Sequence, residues 1–250
     1  MSGSLSELLS ENIRVVRQQI ADACEQSGRA ATDVQLVAVT KYVDTPTAIA
    51  LARCLAEDIQ DRAWNSPVIL GENRPRVLQQ RWHDWPADLN VAWHLIGHLQ
   101  TNKIKVLAGR TTLIHSLDRV DLIDKLNNYA KKSDMLVSGL LEFRLSADAD
   151  KHGFNVADVP QLLERWPTWS NVNLCGVMGM SGQTASPSDA SRQFEGLRET
   201  FVRIQSQLSP SSISNWQELS MGMSGDLPHA IAAGATLVRI GSALFRGLLN

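Results

Sequence analysis

Two short turns rich in glycine and serine lie close together near the end of the chain. The first is Gly222-Met223-Ser224-Gly225, and the second is Gly241-Ser242. Glycine lets the backbone approach an anion closely, exposed N–H groups donate hydrogen bonds, and the serine hydroxyls add further donors. Each turn alone is ordinary, but the pair is typical of two walls of one anion pocket.

A lysine ends the first apolar run of the chain, VQLVAVTK, at Lys41. A lysine facing a low-dielectric pocket has a pKa below its usual value of about 10.4, and its free amine is a nucleophile toward an aldehyde. The alternative is a lysine whose charged end reaches solvent from the end of a strand. Position alone leaves both interpretations open.

The lysine and the two turns together indicate a ligand that carries both an aldehyde and a phosphate. Pyridoxal 5'-phosphate has both groups. A protein that binds some other phosphorylated metabolite is the competing interpretation, and it requires no covalent bond to Lys41.

Eight apolar segments rich in Val, Ile and Leu alternate with helical segments, and this pattern predicts a parallel sheet. The predicted strands are Gln35–Lys41, Val68–Gly71, Val91–His98, Leu113–Leu117, Leu136–Leu145, Asn173–Met180, Trp216–Met221 and Leu237–Phe245. Eight strands predict a (β/α)8 barrel, in which loops after strands seven and eight frequently bind phosphate. An amphipathic helix at about residues 5–26, capped by Ser4 or Ser6, precedes a barrel at about 34–248.

Composition favours one cytoplasmic domain spanning residues 1–250. Hydrophobic residues make up 44% of the 250 residues and the net charge is −2, so the sequence predicts a large core and neither a nucleic-acid nor a membrane partner. The three cysteines have no Cys-x-x-Cys spacing, which argues against a zinc site and a disulfide framework. No apolar run approaches the roughly 20 residues that span a bilayer.

Two histidines, His94 and His98, share one face of the third predicted strand. Zinc requires at least a third protein ligand, and the sequence offers none at a recognisable spacing. We therefore expect no metal in this protein.

Six motifs of this chain, in order, closely resemble the YggS/PROSC family of pyridoxal-phosphate-binding homeostasis proteins. The motifs are VAVTK at Lys41, LGENR at Asn73, WHLIGHLQTNK from Trp93, IHSLD from Ile114, LSMGMSGD from Leu219 and VRIGSALF from Val238. The resemblance implies a barrel of the alanine racemase N-terminal domain type. Two departures from the family pattern are Arg74-Pro75-Arg76 after Asn73, and Phe245-Arg246-Gly247.

The resemblance implies a role for individual residues. Lys41 matches the Schiff-base lysine, and Asn73 matches a residue that lines the cofactor pocket. The phosphate cradle is matched by Ser224, Gly241, Ser242 and the backbone N–H of Met223.

Arg239 matches the arginine that faces the pyridine nitrogen in this family. A guanidinium group only donates hydrogen bonds, so the ring nitrogen must accept and stay unprotonated, which weakens the ring as an electron sink. The alternative is an arginine paired with a carboxylate at the barrel mouth.

The implied function is to hold or deliver pyridoxal 5'-phosphate in vitamin B6 and amino-acid homeostasis, with apo-enzymes that use this cofactor as partners. Without the second domain of the racemases, we expect a monomeric chain. The alternative is an amino-acid racemase or another weak enzyme using this cofactor. Racemisation requires a second base, which is a tyrosine in the racemases that this chain resembles. The only tyrosines here are Tyr42 and Tyr129. In a regular strand Tyr42 points away from the face that carries Lys41.

Overall fold

Eight parallel strands form a closed barrel in which neighbours in sequence are neighbours in space. The computed structural model describes residues 4–61, 67–107, 109–146, 152–182 and 186–249. The strands are β1 (Gln35–Val39), β2 (Val68–Glu72), β3 (Val91–Leu95), β4 (Leu113–Leu117), β5 (Val137–Arg144), β6 (Val172–Met180), β7 (Glu218–Ser220) and β8 (Leu237–Ile240). The barrel closes where β1 pairs with β8, which confirms the predicted (β/α)8 class.

Several predicted strands extend too far at their carboxyl ends. The first strand ends at Val39, so Lys41 and Tyr42 lie in a turn. The last strand ends at Ile240, and Ser242–Phe245 forms a turn of 3-10 helix. Apolar residues continue past both strands because packing outside the barrel also buries them, and an apolar run does not distinguish a strand from a short helix. Gly241 and Ser242 therefore lie at the start of this 3-10 turn, not in the strand that we predicted.

Helices surround the barrel. They are α1 (Leu5–Gln26), α2 (Thr45–Asp61), α3 (Pro75–Asp84), α4 (Ile104–Leu107), α5 (Val120–Lys132), α6 (Val159–Arg165), α7 (Pro187–Gln205), α8 (Pro210–Ile213) and α9 (Leu227–Ala232). Most of them follow a strand and cover the outer face of the barrel with their apolar sides, as expected for parallel strands joined by helices.

The helix α1 precedes the barrel and packs against α2, α9 and the Ser242–Phe245 turn. Ser4 is its N-cap, and Glu7 completes a reciprocal capping box. Buried Asn12 donates hydrogen bonds from Nδ2 to the carbonyl oxygens of Leu244 (3.1 Å) and Arg246 (3.0 Å). The additional helix thus fixes the backbone that follows β8.

The barrel interior has an apolar layer and a polar layer. The apolar layer contains side chains from six strands, namely Val37, Ile69, Leu113, Leu140, Met178 and Leu237. Buried polar side chains of β3, β4, β7 and β8 form the other layer. The polar layer is part of the functional site described below.

No helix in the described ranges is both long and apolar enough to cross a lipid bilayer.

Gly176 lies at a bulge where β6 leaves regular register with β5. Its φ is +152°, and a Cβ atom there would overlap the carbonyl oxygen of Glu218 on β7. We expect Gly176→Ala to lower the free energy of unfolding by about 2–5 kcal/mol, because the added methyl group must displace backbone. Urea denaturation measures the difference.

The matched control is Gly196→Ala in the middle of α7, where an added Cβ atom meets no atom within 4 Å. There the substitution should stabilise by about 0.5–1 kcal/mol, since alanine is the better helix former. Equal effects at the two glycines would contradict the close approach of β6 and β7.

Candidate functional site

Lys41 lies on the rim of the barrel, two residues beyond β1, with its side chain exposed. Its Nζ lies 4.7 Å from the centroid of the Tyr42 ring. Of the two interpretations of Lys41 that position left open, the described structure matches the one in which the charged end reaches solvent. The expected separation of Lys41 and Tyr42 onto opposite faces is wrong, because a turn replaces the strand there.

A buried arginine holds the loop that carries Lys41. Arg81 reaches from α3 and donates hydrogen bonds from Nη2 to the carbonyl oxygens of Thr40 (3.0 Å) and Val43 (2.7 Å). These two carbonyl groups bracket Lys41 in sequence. Arg81 Nε also lies 3.0 Å from Glu72 Oε1, and Thr40 Oγ1 donates to the same oxygen (2.5 Å). We call Arg81, Glu72 and Thr40 the rim clamp.

Both charges of the rim clamp are almost fully buried. Burial raises the pKa of Glu72, and the Arg81 charge opposes that rise. Burial likewise lowers the pKa of Arg81, against the effect of Glu72. A buried charge is tolerated when it is paired, and removing one partner leaves the other uncompensated. The two side chains therefore depend on each other.

The two glycine–serine turns lie close to each other in the structure. Ser242 Oγ lies 3.4 Å from Ser224 Oγ, and both side chains are exposed. Gly222 has φ +94°, a conformation that favours glycine and turns the chain directly after β7. Since β1 and β8 are paired neighbours, the Gly241-Ser242 turn emerges beside the Lys41 loop.

The backbone N–H of Met223, which we predicted as a phosphate donor, is already engaged. It donates to Asp226 Oδ1 (2.6 Å), and Asp226 Oδ2 accepts from Ser181 Oγ (2.5 Å). A phosphate would have to replace the Asp226 oxygen to receive this hydrogen bond. The role of Met223 stays a prediction that requires this exchange.

Arg239 is buried inside the barrel on β8, not paired at the mouth with a carboxylate. It donates from Nη1 to Ser220 Oγ (2.6 Å) and from Nη2 to the carbonyl oxygen of Gly179 (3.0 Å). Burial lowers its pKa to about 10, while Glu142 and Asp226 act in the opposite direction. The guanidinium remains charged at neutral pH, and its other N–H groups make no hydrogen bond within the described residues.

Sequence reasoning missed a buried chain of hydrogen bonds that continues from Arg239. Ser220 Oγ lies 2.9 Å from His115 Nδ1, and His115 Nε2 lies 2.9 Å from His94 Nδ1. Burial lowers the pKa of His94 to about 3 and that of His115 well below its usual value, so both rings are neutral.

The direction of donation along these hydrogen bonds follows from Arg239, which can only donate. Ser220 accepts from Arg239, and its own hydroxyl proton then has His115 Nδ1 as acceptor. His115 Nε2–H donates in turn to His94 Nδ1. Strict alternation of inward and outward residues along β3 and β4 predicts that His94 and His115 both point into the barrel. It does not predict that the two rings are in contact.

Asn73 lies half-buried on the rim directly after β2. Its backbone packs against Gly97 in the loop after β3, where a Cβ atom would overlap the Asn73 carbonyl oxygen. This contact fixes the Asn73 backbone between the Lys41 loop and the loop that follows β3. Asn102 and Lys103 are exposed in a 3-10 turn further along the rim.

The chain resembles known proteins over nearly its whole length. Residues 9–248 match the family model described as alanine racemase, N-terminal domain. A pyridoxal phosphate homeostasis protein of Aquifex aeolicus is 32% identical over 235 residues, which cover 94% of this chain and 96% of that protein.

Solved structures agree. A crystal structure of an unknown protein from Bifidobacterium adolescentis has a TM-score of 0.86 at 29% identity, covering 98% of this chain and 97% of the other. The structure of PipY from Synechococcus elongatus PCC7942 with pyridoxal phosphate bound has a TM-score of 0.77 at 26% identity, covering 95% and 99%.

The rim clamp predicts a large effect of Arg81→Met. Because Glu72 then stays buried without its partner, we expect the free energy of unfolding to fall by about 3–5 kcal/mol. Adding Glu72→Gln should recover part of this loss. Limited trypsin digestion should also cut faster after Lys41 in Arg81→Met, since the loop loses two anchors.

The control is Arg53→Met, which breaks an exposed ion pair with Asp88 (3.0 Å). Exposed pairs contribute about 0–1 kcal/mol, and Arg53 makes no hydrogen bond to the Lys41 loop within the described residues. If Arg81→Met costs no more than Arg53→Met, the rim clamp does not hold the loop.

Proposed function

Because the chain belongs to the YggS/PROSC family of pyridoxal phosphate homeostasis proteins, we propose that it binds pyridoxal 5'-phosphate and serves vitamin B6 and amino-acid homeostasis. The observation that carries the proposal is the arrangement at the rim. The Lys41 loop follows β1 and the Gly241-Ser242 turn follows its paired neighbour β8, where Ser242 Oγ lies 3.4 Å from Ser224 Oγ. Arg239, a buried cation, lies on β8 two residues before Gly241.

The residues present fit the three chemically distinct parts of this cofactor. The hydroxyl groups of Ser224 and Ser242 and the side-chain-free backbone at Gly241 suit the phosphate, and Lys41 suits the aldehyde. Arg239 has N–H groups that are not used within the described residues and suit the ring nitrogen as acceptor. Asn73 lines the rim between Lys41 and the loop that follows β3.

The cofactor supplies an aldehyde that condenses with a primary amine, and release of water accompanies the new carbon–nitrogen bond. The protein supplies the amine of Lys41 and restricts where it lies. The rim clamp fixes the backbone on both sides of this residue, so the exposed side chain starts from a defined point.

Arg239 favours a carrier over a strong catalyst. Its guanidinium stays charged in the barrel, oriented by Ser220 and Gly179. Because it can only donate hydrogen bonds, it disfavours a protonated ring nitrogen, which would itself need an acceptor. Enzymes that need a strong electron sink place an acidic group at this nitrogen instead. The described site therefore suits retention of the cofactor more than its use in proton abstraction.

The proposal has three further parts: the protein delivers the cofactor to apo-enzymes, it is a monomer, and it is located in the cytoplasm. The exposure of Lys41 and of both cradle serines supports delivery, since a partner can approach the site without a rearrangement of the core. All three cysteines lie in the described part of the chain and are free thiols, which suits a reducing compartment.

We expect protein mixed with pyridoxal 5'-phosphate to show the visible absorbance band of a lysine-bound cofactor, and Lys41→Ala to lack it. Loss of the only participating amine leaves the aldehyde free. A visible spectrum of each protein after gel filtration measures this. Lys132→Ala, on an exposed lysine at the end of α5, is the control and should keep the band. An unchanged band in Lys41→Ala would contradict the assignment.

The double substitution Ser224→Ala, Ser242→Ala tests the phosphate cradle. Hydrogen bonds to charged groups contribute about 1.5–3 kcal/mol each, so affinity for pyridoxal 5'-phosphate should fall at least about tenfold. Binding of pyridoxal, which has no phosphate, should stay unchanged. Fluorescence titration with the two ligands gives both affinities. An equal loss for both ligands would assign the serines to folding and not to phosphate.

A further inference from the structure

A second cluster of side chains with ligand chemistry lies on the same rim, after β3, β4 and β5. It consists of His98, Asp118 and His152, and one donor atom from each lies within 4.8 Å of the others. His98 Nδ1 is 2.8 Å and His152 Nδ1 is 3.9 Å from Asp118 Oδ2. The two imidazole rings stack with centroids 4.2 Å apart. We call these residues the histidine–aspartate cluster.

Asp118 is the fixed point of the cluster. Its side chain is 2% exposed, and its other oxygen, Oδ1, accepts from Arg119 Nη1 (2.6 Å). Arg119 is itself held by a hydrogen bond to the carbonyl oxygen of Leu99 (3.2 Å). The carboxylate is therefore oriented from one side, and its free oxygen is directed at the two histidines.

The histidines are on the open side of the cluster. Their side chains are 35% and 61% exposed, and both line a cavity of about 220 Å³. Glu142 lines the same cavity, and its carboxyl group makes no hydrogen bond within the described residues. Burial, together with the charge of Asp118, raises the pKa of Glu142 to about 7, while Arg239 opposes this rise. An incoming cation would meet a second carboxyl group here.

We propose that the histidine–aspartate cluster binds a divalent first-row transition ion such as zinc. Two imidazole nitrogens and one carboxylate oxygen form the three-ligand set that leaves positions open to water or to another ligand. Two donors of a tetrahedral zinc ion lie about 3.3 Å apart, given bond lengths of about 2.0–2.1 Å. The observed 2.8 Å and 3.9 Å lie on either side of this value, and all three donor atoms lie within 4.8 Å of one another, so rotation of the two imidazole side chains would form the site.

This proposal replaces the expectation that no metal binds, which rested on the cysteine spacing and on the lack of a third ligand for His94 and His98. The structure separates these two residues, since His94 faces His115 inside the barrel. The missing ligands come from the ends of other strands, at distances in sequence that no local spacing indicates. The site does not depend on binding of pyridoxal 5'-phosphate, because it shares no residue with the Lys41 site.

Equilibrium dialysis of the full chain against Zn²⁺, after treatment with a chelator, tests the proposal. We expect one ion for each chain. His98→Ala and His152→Ala should each weaken binding by at least about 100-fold, since changes to outer partners of metal ligands alone cost about 10–100-fold. Both side chains are partly exposed, so the urea midpoints of the variants should match that of the parent.

The control is His83→Ala, which removes an exposed histidine on α3 far from the cluster in sequence. It should bind Zn²⁺ as the parent does. No bound ion in the parent would overturn the proposal. Unchanged affinity in either cluster variant would also overturn it, because the site requires both imidazoles. Repeating the dialysis with bound pyridoxal 5'-phosphate should leave the stoichiometry unchanged.

Discussion

The structure depends on the burial of one cation, Arg239, inside a closed barrel. An arginine cannot lose its charge in a protein interior, so its N–H groups must find acceptors there. The barrel provides them from β6 and β7, and the hydroxyl of Ser220 extends the chain of hydrogen bonds to two neutral histidines. This polar layer replaces apolar packing below the rim. It lies beneath the loops that carry the exposed residues of the rim.

The rim itself is held from outside the barrel, at two places. On one side, Arg81 and Glu72 form a buried ion pair that fixes the Lys41 loop. On the other side, Asn12 of α1 holds the backbone after β8 next to the phosphate cradle. Exposed side chains can thus occupy defined places without being buried. Such an open but anchored site suits a protein that must both take up and release a reactive cofactor.

The sequence predicted most of the strands and of the site residues, but few of the buried side-chain contacts that hold the site in place. Eight apolar runs predict eight strands, and family motifs single out Lys41, Ser224, Arg239 and Ser242 because their chemistry is tied to local sequence. Arg81 escaped notice because its partners, Thr40 and Glu72, become neighbours only when α3 packs beside β2. The contacts of His115 and His152 could not be predicted either, because their partners are also distant in sequence. The position of Lys41 in a turn beyond β1 was missed because strand ends are uncertain by a few residues.

The central claim is that Lys41 is the residue that carries pyridoxal 5'-phosphate. Borohydride reduction of the loaded protein makes the carbon–nitrogen bond permanent, and peptide mass spectrometry then locates it. We predict one phosphopyridoxyl group for each chain, on the peptide that contains Lys41. A group found on Lys103 or Lys105, which lie further along the same rim, or spread over several lysines, would contradict the account.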